Sequence, residues 1–184
     1  MFLLVLSPAD VWRFRKQRGV NLGSWFVLGV FFYVIVKFNL NNILEKWITW
    51  GPYSHAASPR ESDHDVARGS NAQSIFEHHW STWINEGDFE WLSMVGVNTV
   101  RIPVGYYHFV KHLGHNYLDG TDFQGLGHVF VNTMDYIERA IDWAEKYNLG
   151  VHFGKLICFL IILVLFIIID LHAAPGKQNH DDHR

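Results

Sequence analysis

Residues 85–104 read NEGDFEWLSMVGVNTVRIPV, a helix and a strand back to back. Asn85 is a good N-cap, and Asp88 three residues on can reach back as a capping-box acid. Phe89, Leu92 and Val95 follow at helical spacing, and Gly96 suits the position just past the helix end. Then 97–104, VNTVRIPV, is rich in β-branched residues and ends at a proline. That pattern predicts a buried strand followed by a loop.

The same order repeats downstream. Asn132 and Asp135 open a second helix whose inner face is Ile137, Ala140, Ile141, Ala144 and Tyr147. Asn148-Leu149-Gly150 ends it, and 150–153, GVHF, begins another strand. Upstream, 18–26, RGVNLGSWF, reads as a first strand. Strand, helix, strand, helix, strand is βαβ logic and calls for a parallel sheet. Residues 52–71 have loop composition with room for one short helix, and 105–127 read as a long loop.

At 184 residues and net charge -3 the chain gives no bulk electrostatic case for nucleic acid. It is shorter than the roughly 250 residues of an eight-stranded α/β barrel. Cys158 is the single cysteine, so no intramolecular disulfide forms. Residues 1–17 read as a leader on a soluble domain. Their apolar run, 2–6, is too short for a signal peptide and lacks a positive flank before it. Residues 18–184 read as one α/β domain.

Four side chains stand out chemically. Arg101 lies near a strand end, where a guanidinium can orient a carboxylate; an ordinary salt bridge is the plainer alternative. His172, in Asp170-Leu171-His172, marks a second strand end and can bond a sugar hydroxyl or a carboxylate. Glu45 stands two residues before Trp47, pairing an acceptor for sugar hydroxyls with a stacking surface. Asp182 lies in His180-Asp181-Asp182-His183. That cluster and His78-His79-Trp80 lack a spaced third ligand, so no metal and no cofactor are expected. The other tryptophans (Trp12, Trp25, Trp50, Trp83, Trp91, Trp143) are expected mostly in the core.

Five ordered segments, RGVNLGSWFVL (18–28), EKWIT (45–49), EHHWSTWINEGDF (77–89), GVNTVRIPVGYY (96–107) and DLHAAPGKQN (170–179), resemble glycoside hydrolase family 5. Within it they are similar to the fungal exo-β-1,3-glucanases. The resemblance implies a (β/α)8 barrel and retaining hydrolysis of β-1,3-glucan or laminari-oligosaccharides, by a monomer when full-length. The two catalytic glutamates of such an enzyme sit about 5 Å apart. By resemblance, Arg101 matches the arginine that orients the nucleophile, His172 a histidine of the glucose pocket, and Glu45 a carboxylate gripping the terminal sugar. Asp182 matches, more loosely, another sugar-binding acid. The family's acid/base glutamate lies in an Asn-Glu-Pro motif, which this sequence lacks; its only Asn-Glu, Asn85-Glu86, opens a helix. The nucleophile comes later still in the family, so both catalytic glutamates are expected beyond Arg184. The expectation is therefore an incomplete N-terminal part of the barrel, about three βα units, without either catalytic glutamate and inactive alone. The alternatives are a non-catalytic glucan-binding fragment and a single-pass membrane-anchored protein.

Two hydrophobic inserts interrupt the resemblance, 29–44 (GVFFYVIVKFNLNNIL) and 154–169 (GKLICFLIILVLFIII), each sixteen residues or 48 nucleotides. Each begins with Gly and is followed by an acid, Glu45 or Asp170, whose codons begin G-A. An intron retained after that first G would read glycine at its start and Leu or Ile at its end, as both inserts do. The inserts are read as translated introns. As genuine protein, 156–169 is fourteen apolar residues, short of the ~20 that span a bilayer, and membrane contact is confined to it.

Overall fold

The structure, a computed structural model, describes residues 16–28, 51–60, 62–152 and 169–173. For 151–152 and 169–173 only the strand path is described. The expected leader (1–15 of it), Glu45, Asp182, the first insert, and the second up to 168 lie outside the described residues. So does Arg184, the residue beyond which both catalytic glutamates are expected.

A parallel sheet organises the chain. Strand β1 (Gly19–Asn21) and strand β3 (Gly150–His152) flank β2 (Thr99–Gly105), both parallel to it. Asn21, Arg101 and His152 are in one register row. A further strand, β4 (Ile169–Ala173), pairs in parallel with the second half of β2. The helices are α1 (Asp63–Ala67), α2 (Ala72–Thr82), α3 (Glu86–Met94), α4 (Val110–Leu113) and α5 (Thr133–Lys146). The expected order of strands and crossover helices is present.

Helix α3 forms as its local sequence dictates. The Asn85 side chain accepts from the Gly87 N–H at 2.9 Å, and Asp88 accepts from the Asn85 N–H at 2.8 Å. This reciprocal cap contributes about 1 kcal/mol. Gly96 stops the helix with φ +84°, a conformation that favours glycine. Phe89 and Leu92 are buried as expected, but Val95 is 54% exposed and so is not part of the inner face. Trp91 is 61% exposed, against the expectation of a core tryptophan. It lies two positions, about 200°, round the helix from Phe89, which faces Trp143. At α5, Asn132 occupies the cap position but makes no capping bond; its amide donates to Glu77 instead, at 2.8 Å.

Three segments differ from the sequence reading. The first strand is three residues rather than 18–26, because Trp25, Phe26, Val27 and Leu28 leave the sheet edge to be buried in the core. Residues 105–127 are no loose loop: 3-10 turns and α4 bury Tyr106, Tyr107, His108, Phe109, Val110 and Phe123. Aromatic burial outweighs the glycine-rich local signal there.

Strand β2, thirdly, runs through Pro103 instead of stopping. The Asn98 carbonyl serves the β3 side, accepting from Gly150, and the Arg101 carbonyl serves the β1 side, accepting from Leu22, both at 2.9 Å. Alternate residues of a strand bond to opposite neighbours, so Pro103 shares the side of Arg101. Strand β1 has already ended there, and the missing N–H removes no ladder bond to it.

Val100, Ile102 and Val104 are fully buried and meet Phe76 and Trp80 of α2, Phe89 of α3, and Ile137, Ala140 and Ala144 of α5 in one core cluster. Each valine, isoleucine or phenylalanine among them contributes about 1.5–3 kcal/mol by leaving water. The core includes Trp25, whose indole N–H donates to the Trp80 carbonyl at 2.9 Å.

Candidate functional site

Arg101 lies in the middle of the central strand, partly exposed, with its guanidinium donating to Asn21 Oδ1 at 3.0 Å. The expectation put Arg101 near the strand end. It is instead the third residue of seven, because the strand continues through Pro103. Asn21 was not singled out in the sequence; its register position opposite Arg101 comes from pairing between segments eighty residues apart. A guanidinium steered by a neighbouring amide keeps a defined plane, which suits bidentate contact with a carboxylate.

Strand β4 brings the Asp170-Leu171-His172 segment beside this row. Asp170 pairs with Pro103 and Leu171 with Val104, and an irregularity follows before Ala173 pairs with Gly105. His172 thus lies near the end of β4, at that irregularity. Arg101 and His172 are on adjacent strands, while Glu45 and Asp182 lie outside the described residues.

A second polar centre is buried beneath the end of β2. The Asp63 carboxylate accepts from the Leu28 N–H at 2.9 Å and from the Tyr107 hydroxyl. It ties together the chain leaving β1, the start of α1 and the turn after β2. Burial pushes the Asp63 carboxyl up to about 7, against the lowering effect of its two hydrogen bonds, and raises the Tyr107 hydroxyl well above its ordinary value. A raised carboxyl favours folding most when protonated. Its contribution is complete below the unfolded value of 3.8 and is lost as pH rises through about 7. Asp63→Asn is therefore expected to flatten this loss. Denaturation from pH 4 to 8 should give a wild-type-minus-variant stability difference that falls with pH; a constant difference would contradict it. Nothing in the polar composition of 52–71 marks Asp63 as buried, since its partners come from other segments.

The buried histidines hold backbone in place. His79 donates to the Ser24 carbonyl at 2.8 Å, and burial holds it down to about 4. His108 Nδ1 accepts from the Gly105 N–H at 2.9 Å, and burial holds it down to about 3. His78 is exposed, so the adjacent pair diverges as adjacent helix residues do. No group of three or more metal-ligating side chains occurs among the described residues. No helix among them is long and apolar enough to cross a membrane.

No protein-family model matches the chain. It is 36% identical over 171 residues to a glucan 1,3-beta-glucosidase of Schwanniomyces occidentalis, covering 91% of this chain and 31% of that protein. It is 35% identical over 170 residues to a glucan 1,3-beta-glucosidase of Kluyveromyces lactis, covering 91% and 32%. Among solved structures it resembles the crystal structure of AoRut, with TM-score 0.50 and 26% identity over 75% of this chain and 32% of that one. The chain spans about a third of the length of the curated relatives it matches.

Proposed function

We propose that this chain supplies the first βα units of a family 5 glycoside hydrolase barrel that cleaves β-1,3-glucan with retention. The observation that carries the reading is the similarity to glucan 1,3-beta-glucosidases along 91% of the chain. The parallel β1-β2-β3 order with helices between strands supports it, being the way such a barrel begins.

In this reading residues 18–184 belong to the barrel and 1–17 precede it. Arg101, steered by Asn21, orients the nucleophilic carboxylate and stabilises its ionised form. His172 and Glu45 line the pocket for the terminal glucose, and Asp182 binds a further hydroxyl. Retention needs two carboxylates about 5 Å apart on either side of the scissile bond. Both belong, in this reading, to barrel sequence beyond Arg184. Without an Asn-Glu-Pro the 184-residue polypeptide lacks the acid/base, so alone it binds glucan weakly and does not cleave it.

The purified 184-residue chain incubated with laminarin is accordingly expected to release no glucose above a buffer blank. Calorimetry with laminari-oligosaccharides should give a dissociation constant in the millimolar range or weaker, about 4 kcal/mol of binding or less. Steady release of glucose would overturn the assignment of catalysis to residues absent from this polypeptide. Micromolar binding would favour the glucan-binding alternative.

A further inference from the structure

Along β3, partner numbers across the pairing differ by 51: Gly150 with Thr99, Val151 with Val100, His152 with Arg101. Along β4 they differ by 67: Ile169 with Ile102, Asp170 with Pro103, Leu171 with Val104. The β2 residues used, Thr99 to Val104, are consecutive. The step between the two offsets is sixteen, the length of 154–169.

Both strands also lie on one side of β2. Parts of β3 and β4 approach within 8 Å, Cα to Cα. Strands on opposite sides of β2 would be two strand spacings apart, about 9.6 Å. The side opposite β3 belongs to β1.

We infer that β3 and β4 are the two halves of a single strand, divided by a sixteen-residue insertion, and that the site-bearing form of the protein lacks those sixteen residues. Joining Phe153 to Asp170 gives Gly150-Val151-His152-Phe153-Asp170-Leu171 against 99–104 with no change of register, and His172 follows at the irregularity. Phe153 then takes the place opposite Ile102 that Ile169 now takes, one apolar residue for another. In this form His172 stands at the C-terminal end of the third barrel strand, where barrel enzymes carry their chemistry. The pairing is independent of the proposed reaction; only this last consequence rests on it.

Register makes the length of the excess testable. Shifting a strand by one residue turns every side chain to the opposite face. Three deletions, of 154–168, 154–169 and 154–170, differ by one residue each. Amide exchange at Val100, Ile102 and Val104 is the readout. The sixteen-residue deletion is expected to exchange at least tenfold more slowly there than either neighbour. Equal exchange in all three, or slower exchange in a neighbour, would overturn the inference. Should none of the three yield folded protein, full-length cDNA across codons 150–174 decides. Mature transcripts lacking the 48-nucleotide block support the inference, and its retention in every transcript refutes it.

Discussion

Arg101→Ala is expected to lower kcat/KM for laminarin about a hundredfold in a chimera where the chain can be tested for turnover. Such a chimera carries residues 18–28, 45–153 and 170–179 in place of the matching stretch of the Schwanniomyces occidentalis enzyme. The loss should fall mainly on kcat, because a guanidinium that orients the nucleophile acts on the reacting carboxylate rather than on the sugar. Arg101→Lys should recover only part of it, since an ammonium keeps the charge but not the planar fork. Asn21→Ala, which removes the amide steering the guanidinium at 3.0 Å, should give a smaller loss in the same direction. A rise in KM with unchanged kcat would show that Arg101 binds substrate instead.

Trp80→Ala is expected to be the most damaging single change to folding. Trp80 is fully buried and touches the rings of Phe26, Phe76, His108, Phe130 and Tyr136. Its carbonyl also receives the Trp25 indole N–H. Truncation of a buried tryptophan costs about 3–5 kcal/mol, a large part of the roughly 5–15 kcal/mol that holds a domain folded. The urea midpoint should fall by about 1–3 M, or folded protein should disappear. Trp80→Phe keeps a ring in place and should lose less than half as much. A midpoint unchanged in Trp80→Ala would contradict the packing described.

The sequence made local features legible and non-local ones not. The Asn85–Asp88 cap, the Gly96 stop, and the buried Ile137, Ala140 and Ala144 of α5 depend on residues within a few positions of one another. Parallel order followed from strands and helices in alternation. The course of β2 through Pro103 was not legible, because it depends on where β1 ends, eighty residues earlier in the chain. The burial of Asp63 had no local mark, as Leu28 and Tyr107 meet it from two other segments.

For the candidate site, strand chemistry singled out Arg101 but not its partner Asn21, which pairing alone brings beside it. His172 was read as a strand end and lies one residue from the end of β4, but the start of that strand at Ile169, inside the apolar run, was not legible. That run hides the strand start from any periodicity. The count of sixteen, taken from the interrupted motifs, reappears in the pairing offsets.

Hydrolysis of laminarin by the unmutated chimera, compared with a β-1,4-linked glucan, tests the central claim most directly. Glucose release from laminarin is expected at a rate within about tenfold of the parent enzyme's (~1.4 kcal/mol in barrier), with little from the β-1,4 substrate. A folded, monodisperse chimera that leaves laminarin intact would contradict the assignment of this chain to a β-1,3-glucan hydrolase barrel.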